Sequence, residues 1–133
     1  MAAEPSWVSL EAVVALNQAI VAESGETHEL RDRSALQIAV GRPWNIWAYF
    51  MDHDYAVLAA ALMAAVFSAR AFAAGNKRTA YRAAVAFLDA NGYAVALGNN
   101  RNAVDRVFRF FAGQLSHASV VEWFRMWMSP SGG

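Results

Sequence analysis

Fifteen consecutive residues, Tyr55–Ala69, carry no charge and are rich in alanine. This run constrains the chain more than any other feature. It falls short of the ~20 residues that a membrane-spanning helix needs. Small side chains let neighbouring backbones approach closely, so the run predicts a helix buried at the centre of a helical bundle. Asp54 precedes it and is expected to cap it.

The flanking sequence also has helical period. Ser9 is expected to cap a first helix in which Val13, Leu16 and Ile20 recur at three- and four-residue spacing, with Gly25 ending it. A polar loop, Glu26 to Glu29, follows. Arg31 to Val40 reads as a short helix stopped by Gly41 and Pro43, and Trp44 to Phe50 as a further helical stretch. Ala69 to Gly75 breaks the period and reads as a loop. Asn76 is expected to cap the next helix, whose face is Ala80, Ala83, Ala84, Phe87 and Leu88, with Asn91-Gly92 closing it. Tyr93 to Leu97 reads as a short extended piece. Helices return at about Asn102–Phe111 and Ser119–Met128, where Ser119 and Glu122 fit a capping box. Ser129–Gly133 reads as a frayed tail, and no β-hairpin signal stands out. The expectation is an all-α fold: one compact domain over 1–133, a bundle of six or seven helices.

Composition narrows the function classes. Hydrophobic residues make up 57% of the 133 residues and charged residues 17%, enough apolar surface for a packed core. Lys plus Arg equals 11 and Asp plus Glu equals 11, so a nucleic-acid binder, which usually shows a basic excess, is disfavoured. The absence of cysteine excludes disulfides, thiolate metal sites and cysteine nucleophiles, and favours a reducing cytoplasm. Met1–Ser9 has no positively charged and no apolar leader region. The histidines His28, His53 and His117 show no metal-ligand spacing. His53, in Asp52-His53-Asp54, reads as a loop or cap residue. Asp89 reads as a solvated face residue.

Chemistry concentrates in Arg70-Ala71-Phe72-Ala73-Ala74-Gly75-Asn76-Lys77-Arg78-Thr79. A glycine loop leads into a helix start, where free N–H groups and the positive end of the helix dipole gather. Lys77 and Arg78 oppose that dipole, so helix stability does not explain them. A bound phosphate would, and so would two solvated charges; the residues alone support both equally.

This segment resembles the signature of the Fic/Doc family, which in its Doc (death-on-curing) branch runs His-x-Phe-x-Asp-Gly/Ala-Asn-Lys-Arg-Thr. Phe72, Gly75, Asn76, Lys77, Arg78 and Thr79 match it. AMP-transferring members usually carry Gly at the Lys77 position and a second Arg at the Tyr81 position; here Arg82 comes one residue later, about 100° further round the helix. Further resemblance lies in Leu30-Arg31-Asp32, Ser34-Ala35-Leu36, Gly41-Arg42-Pro43 and Asn45, in Phe87-Leu88 and Asn91-Gly92-Tyr93, and in Leu115-Ser116 and Ser119-Val120.

The resemblance implies the toxin half of a toxin–antitoxin pair, an enzyme that uses ATP to phosphorylate a protein hydroxyl on a translation factor such as elongation factor Tu. It implies Gly75, Asn76, Lys77 and Arg78 as phosphate ligands, Phe72 and Thr79 as supports, and a cognate antitoxin as partner. Clustered aromatics (Trp44, Trp47, Tyr49, Phe50; Trp123, Phe124, Trp127) read mostly as core, with some exposed for that partner. No Ser or Thr has Glu four residues later, so the family's in-chain inhibitory helix motif is missing and inhibition is expected from a separate chain.

Two positions depart from the signature. The family's general-base His is Arg70, which stays protonated at any working pH and accepts no proton. The acidic residue that helps hold Mg²⁺ is Ala74, whose methyl group ligates no cation. Three accounts follow. Arg70 is a change that silences an otherwise toxic activity, the chain is a natural pseudoenzyme, or another group, His53 first, supplies the base. The first leaves Ala74 unexplained. The sequence thus implies a transferase inactive or impaired as written, with a catalytically dead binding module for nucleotide, antitoxin or another protein as the alternative.

Overall fold

The computed structural model describes residues 3–96 and 101–131, with only the backbone of 101–104 included. The described elements run α1 (Leu10–Glu23), α2 (Arg33–Tyr49), α3 (Tyr55–Ala69), α4 (Asn76–Ala90), β1 (Tyr93–Val95), α5 (Arg101–Phe111), α6 (His117–Trp127) and β2 (Met128–Pro130). The all-α expectation holds, with six helices and one small sheet among the described residues. None of these helices is long and apolar enough to cross a membrane.

The apolar run becomes the axis of the bundle. Helix α3 packs against α2, α4 and α6, and Ala56, Leu58, Ala59, Ala60, Leu62, Met63 and Val66 are sealed from solvent. Helix α1 packs on α4. Trp7, ahead of α1, stacks on Phe87 at 6.0 Å and meets Trp47 edge-on at 5.9 Å, tying three parts of the chain into one core. Asn91, just past α4, exchanges hydrogen bonds with the backbone of Ser6, fixing that N-terminal segment.

Capping follows the sequence at two of the predicted starts. The Ser9 hydroxyl accepts from Ala12 N at 3.1 Å. Asp54 Oδ1 accepts from Ala56 N at 2.9 Å and Val57 N at 3.4 Å, while its other oxygen takes Arg125 of α6, with Nε at 3.2 Å. At α6 the expected Ser119–Glu122 box is corrected. Two serines sit three residues apart, and the earlier one starts the helix: Ser116 Oγ accepts from Ser119 N at 3.1 Å. Glu122 pairs instead with Arg125, one turn on.

Two further expectations are corrected. Helix α2 does not stop at Gly41 and Pro43 but runs through both to Tyr49. An internal proline costs ~3 kcal/mol or more. Burial outweighs it, because Leu36, Ala39, Val40 and Pro43 form one seam on the core that Ile46 and Trp47 continue. The tail does not fray over 129–130. Met128, Ser129 and Pro130 pair antiparallel with Val95, Ala94 and Tyr93, and Ser131 N donates to Gly92 O at 2.8 Å. A three-residue strand has no period to read, and its partner lies far away in sequence. The predicted extension to Leu97 and the last two tail residues lie outside the described residues.

Burial alone would raise the Asp54 carboxyl, but the Arg125 hydrogen bond and the two capping amides outweigh it and hold it below the usual range. A carboxylate with a lowered folded-state pKa stabilises above its unfolded value and loses that contribution as pH falls through the folded value. Asp54→Ala is therefore expected to lower unfolding free energy by about 1–2 kcal/mol at pH 7, measured by urea denaturation. The difference from the unaltered chain should shrink below about pH 4.

Candidate functional site

The chain reverses sharply between α3 and α4. Arg70 closes α3 in the left-handed region, φ 45° and ψ 43°, with its N–H on Phe67 O at 3.2 Å. Gly75 opens α4 at φ 78°. Between them, residues 71–73 lie antiparallel to 29–32. Ala71 O accepts from Arg31 N at 2.7 Å and Asp32 N at 3.1 Å, and Ala73 N donates to Glu29 O at 3.0 Å. The upstream Leu30-Arg31-Asp32 segment is thus the wall against which the motif loop is built.

Asn76 does not cap α4. Gly75 occupies the cap position, and no side chain accepts from the first turn. Both polar atoms of the Asn76 side chain are used on Phe72: Oδ1 accepts from Phe72 N at 3.2 Å, and Nδ2 donates to Phe72 O at 2.8 Å. This two-bond strap closes the loop and drives the Phe72 ring into the core, where it is 3% exposed. The N–H groups of residues 75–78, the four that a helix start leaves without intrahelical partners, have no other partner among the described residues.

Around this opening the charges are arranged unevenly. Lys77 is exposed and makes no ion pair among the described residues. Arg70 is exposed, its guanidinium 5.5 Å from the Phe67 ring centroid. Arg78, in contrast, is committed. Its Nη2 lies 2.6 Å from Glu26 Oε1 and its Nη1 donates to Ser24 Oγ at 3.2 Å, with both charged side chains 41% exposed. Hydrogen bonds from Ser24 and then Arg78 hold the Glu26 carboxyl below its usual range. A pair this exposed contributes little to stability, but it occupies the cation that the sequence assigns to phosphate.

Behind the loop lies a polar network that sequence reading missed. Asn17 of α1 is fully buried, and its Nδ2 donates to Ala74 O at 2.8 Å and to Thr79 Oγ1 at 3.0 Å. His28 Nδ1 sits 2.7 Å from Asn17 Oδ1, and its ring lies 5.9 Å from that of Phe72. The available signal was a polar residue on the apolar seam of α1 formed by Val13, Ile20 and Val21. Ser24 and Glu26 had no comparable signal, because a polar loop does not show which helix it will meet.

The remaining candidates are placed as follows. Tyr81, where AMP-transferring relatives carry a second Arg, is half-buried edge-on to Trp123 at 6.2 Å; burial pushes its hydroxyl up to about 12 against a small opposing effect of Arg82. Asp89 is exposed. His53 packs at a tilt against Trp47, ring centroids 5.2 Å apart, beyond the opposite end of α3 from Arg70. A fifteen-residue helix is about 22 Å long, so His53 is too far away to serve as the substitute base. His117 starts α6 beside Phe110. The histidine that does reach the motif loop is His28. The Mg²⁺ that the signature implies does not fit: Ala74 offers a methyl group, and Asn17 already engages its carbonyl.

A Cβ at Gly75 would stand 3.1 Å from Val21 Cγ1 and 3.2 Å from Asn17 Nδ2, in a left-handed backbone. Gly75→Ala should therefore lose at least about 1–2 kcal/mol. Thermal unfolding should show a clear drop in Tm, whereas Gly41→Ala, with open space around it, should be neutral or stabilising.

No curated protein matches the chain. The model of the Fic/DOC family matches residues 7–88, from the Trp7 anchor through the motif loop to the buried end of α4. That span is more than half of the chain and includes the whole candidate site, so the chain belongs to the Fic/DOC family.

Proposed function

We propose that the chain is a Doc-type member of this family, related to the toxin half of a toxin–antitoxin pair, and that it holds the phosphates of ATP at the start of α4 while transferring them poorly or not at all. The observation that carries the reading is the open first turn of α4. Among the described residues it has four N–H groups without partners and no capping side chain, with Lys77 and Arg78 in the same turn. Gly75 and Asn76 contribute through their backbone, since the Asn76 side chain is spent on the Phe72 strap. Lys77 in place of Gly, and Tyr81 in place of a second Arg, support the Doc branch over the AMP-transferring one.

The transferase reading has ATP as donor and a hydroxyl of a translation factor, such as elongation factor Tu, as acceptor. Arg70 and Ala74 weigh against turnover and favour a second reading, a Fic-fold module that binds nucleotide, antitoxin or another protein. A shallow groove of about 320 Å³ between α2 and α3, floored by Ala35, Ala39 and Ala65 with Ile38 and Arg42 on its rim, offers a place for an antitoxin segment. Ile38, Tyr49 and Phe50 are largely exposed along and beyond the same helix.

The two readings are separated by transfer of labelled phosphate from ATP. The unaltered chain is expected to show little or none, Arg70→His a partial gain, and Arg70→His with Ala74→Asp the largest. General-base catalysis typically contributes roughly a hundred- to ten-thousand-fold. Robust transfer by the unaltered chain would contradict the assignment. For the phosphate site, calorimetry should find weaker ATP binding in Arg78→Ala. Because Glu26 competes for the same guanidinium, Glu26→Gln should bind ATP up to about five-fold more tightly. Equal affinity in all three proteins would count against the site.

A further inference from the structure

Asn17 and His28 have no place in the signature, yet they form the buried polar contact between α1 and the motif loop. The Asn17 amide can be oriented in one way only. Ala74 O is an acceptor, so the atom facing it at 2.8 Å must be the Asn17 nitrogen, which reaches Thr79 Oγ1 with its second hydrogen. Oδ1 then faces His28 and can only accept, so the hydrogen in the 2.7 Å contact belongs to His28 Nδ1. The network thereby fixes the protonated nitrogen of His28 and leaves Asn17 fully satisfied.

The consequence falls on the peptide between Ala74 and Gly75. It is trans, and in a trans peptide the C=O and N–H point in opposite directions. Asn17 draws the Ala74 carbonyl toward α1, so the Gly75 N–H is turned away from α1. That N–H has no partner among the described residues. A Cβ added at Gly75 would crowd Val21, Asn17 and Ile20, so α1 leaves space at this position for a glycine and little more.

We propose that Asn17 and His28 are positioning residues: they set the plane of the Ala74–Gly75 peptide so that the Gly75 N–H is aimed, before any ligand arrives, at the phosphate held over α4. The proposal rests on the reading of that helix start as a phosphate site. His28 acts through Asn17, and Asn17 acts on a carbonyl; neither touches the ligand.

The test replaces His28, which is partly exposed, and leaves the buried Asn17 in place. His28→Ala removes the donor to Asn17 Oδ1. His28→Asn keeps a side-chain N–H at the same branch position as Nδ1. ¹⁵N relaxation of the Gly75 amide in the ligand-free chain reports the positioning, and calorimetric titration with ATP reports its use. The expected result is a more mobile Gly75 amide and about three- to ten-fold weaker ATP binding in His28→Ala, with both restored to within about two-fold by His28→Asn. A purely structural role would lower Tm and leave the affinity of the folded protein unchanged. A folded His28→Ala chain with an equally rigid Gly75 amide and unchanged affinity would overturn the positioning. Failure of the unaltered chain to bind ATP would overturn the phosphate site itself, and with it the function assigned to the pair, while the relaxation data would still show whether the peptide plane is held.

Discussion

The reversal from α3 to α4 is made by two left-handed residues, Arg70 and Gly75, and the rest of the site depends on it. Glycine adopts this backbone freely; arginine does so at a cost of about 1–2 kcal/mol. The surroundings hold that strain: the Asn76 strap on Phe72, the two backbone bonds into Ala71 O, and Asn17 on Ala74 O.

Within that frame the electrostatics are unusual. A helix start normally attracts acidic side chains and a capping oxygen. Here α4 has neither, and its first turn carries two cations. The carboxylate that does approach, Glu26, comes from the loop after α1 and engages the Arg78 side chain, with Ser24 beside it. Among the described residues the helix N–H groups remain without partners, while one of the two cations is paired with Glu26. An entering phosphate would meet Lys77 and the amides first, and would gain Arg78 only by displacing Glu26.

Much of this was legible in the sequence, because the strongest signals were local. The apolar run of α3, the oxygen caps of Ser9 and Asp54, and the contiguous motif all depend on neighbours within a few residues. What was not legible depended on partners distant in the chain. Pro43 looked like a stop until the seam from Leu36 to Trp47 outweighed it. Asn76 looked like a cap, since asparagine before a helix usually is one, but its amide was already used by Phe72. The last residues looked frayed because their pairing partner, β1, lies more than thirty positions away. Asn17 carried only the signal of a polar residue on an apolar seam, Glu26 sat in a polar loop and His28 showed no metal-ligand spacing; only the packing of α1 on α4 shows what they hold.

Whether phosphate sits at the first turn of α4 is tested most directly by a crystal structure of the chain with a non-hydrolysable ATP analogue. The predicted result is a phosphate within hydrogen-bonding distance of the amides of residues 75–78, with Lys77 against it and the Arg78 guanidinium drawn from Glu26 toward it. A nucleotide bound elsewhere, with the Arg78–Glu26 pair intact and the α4 amides still open, would contradict the account.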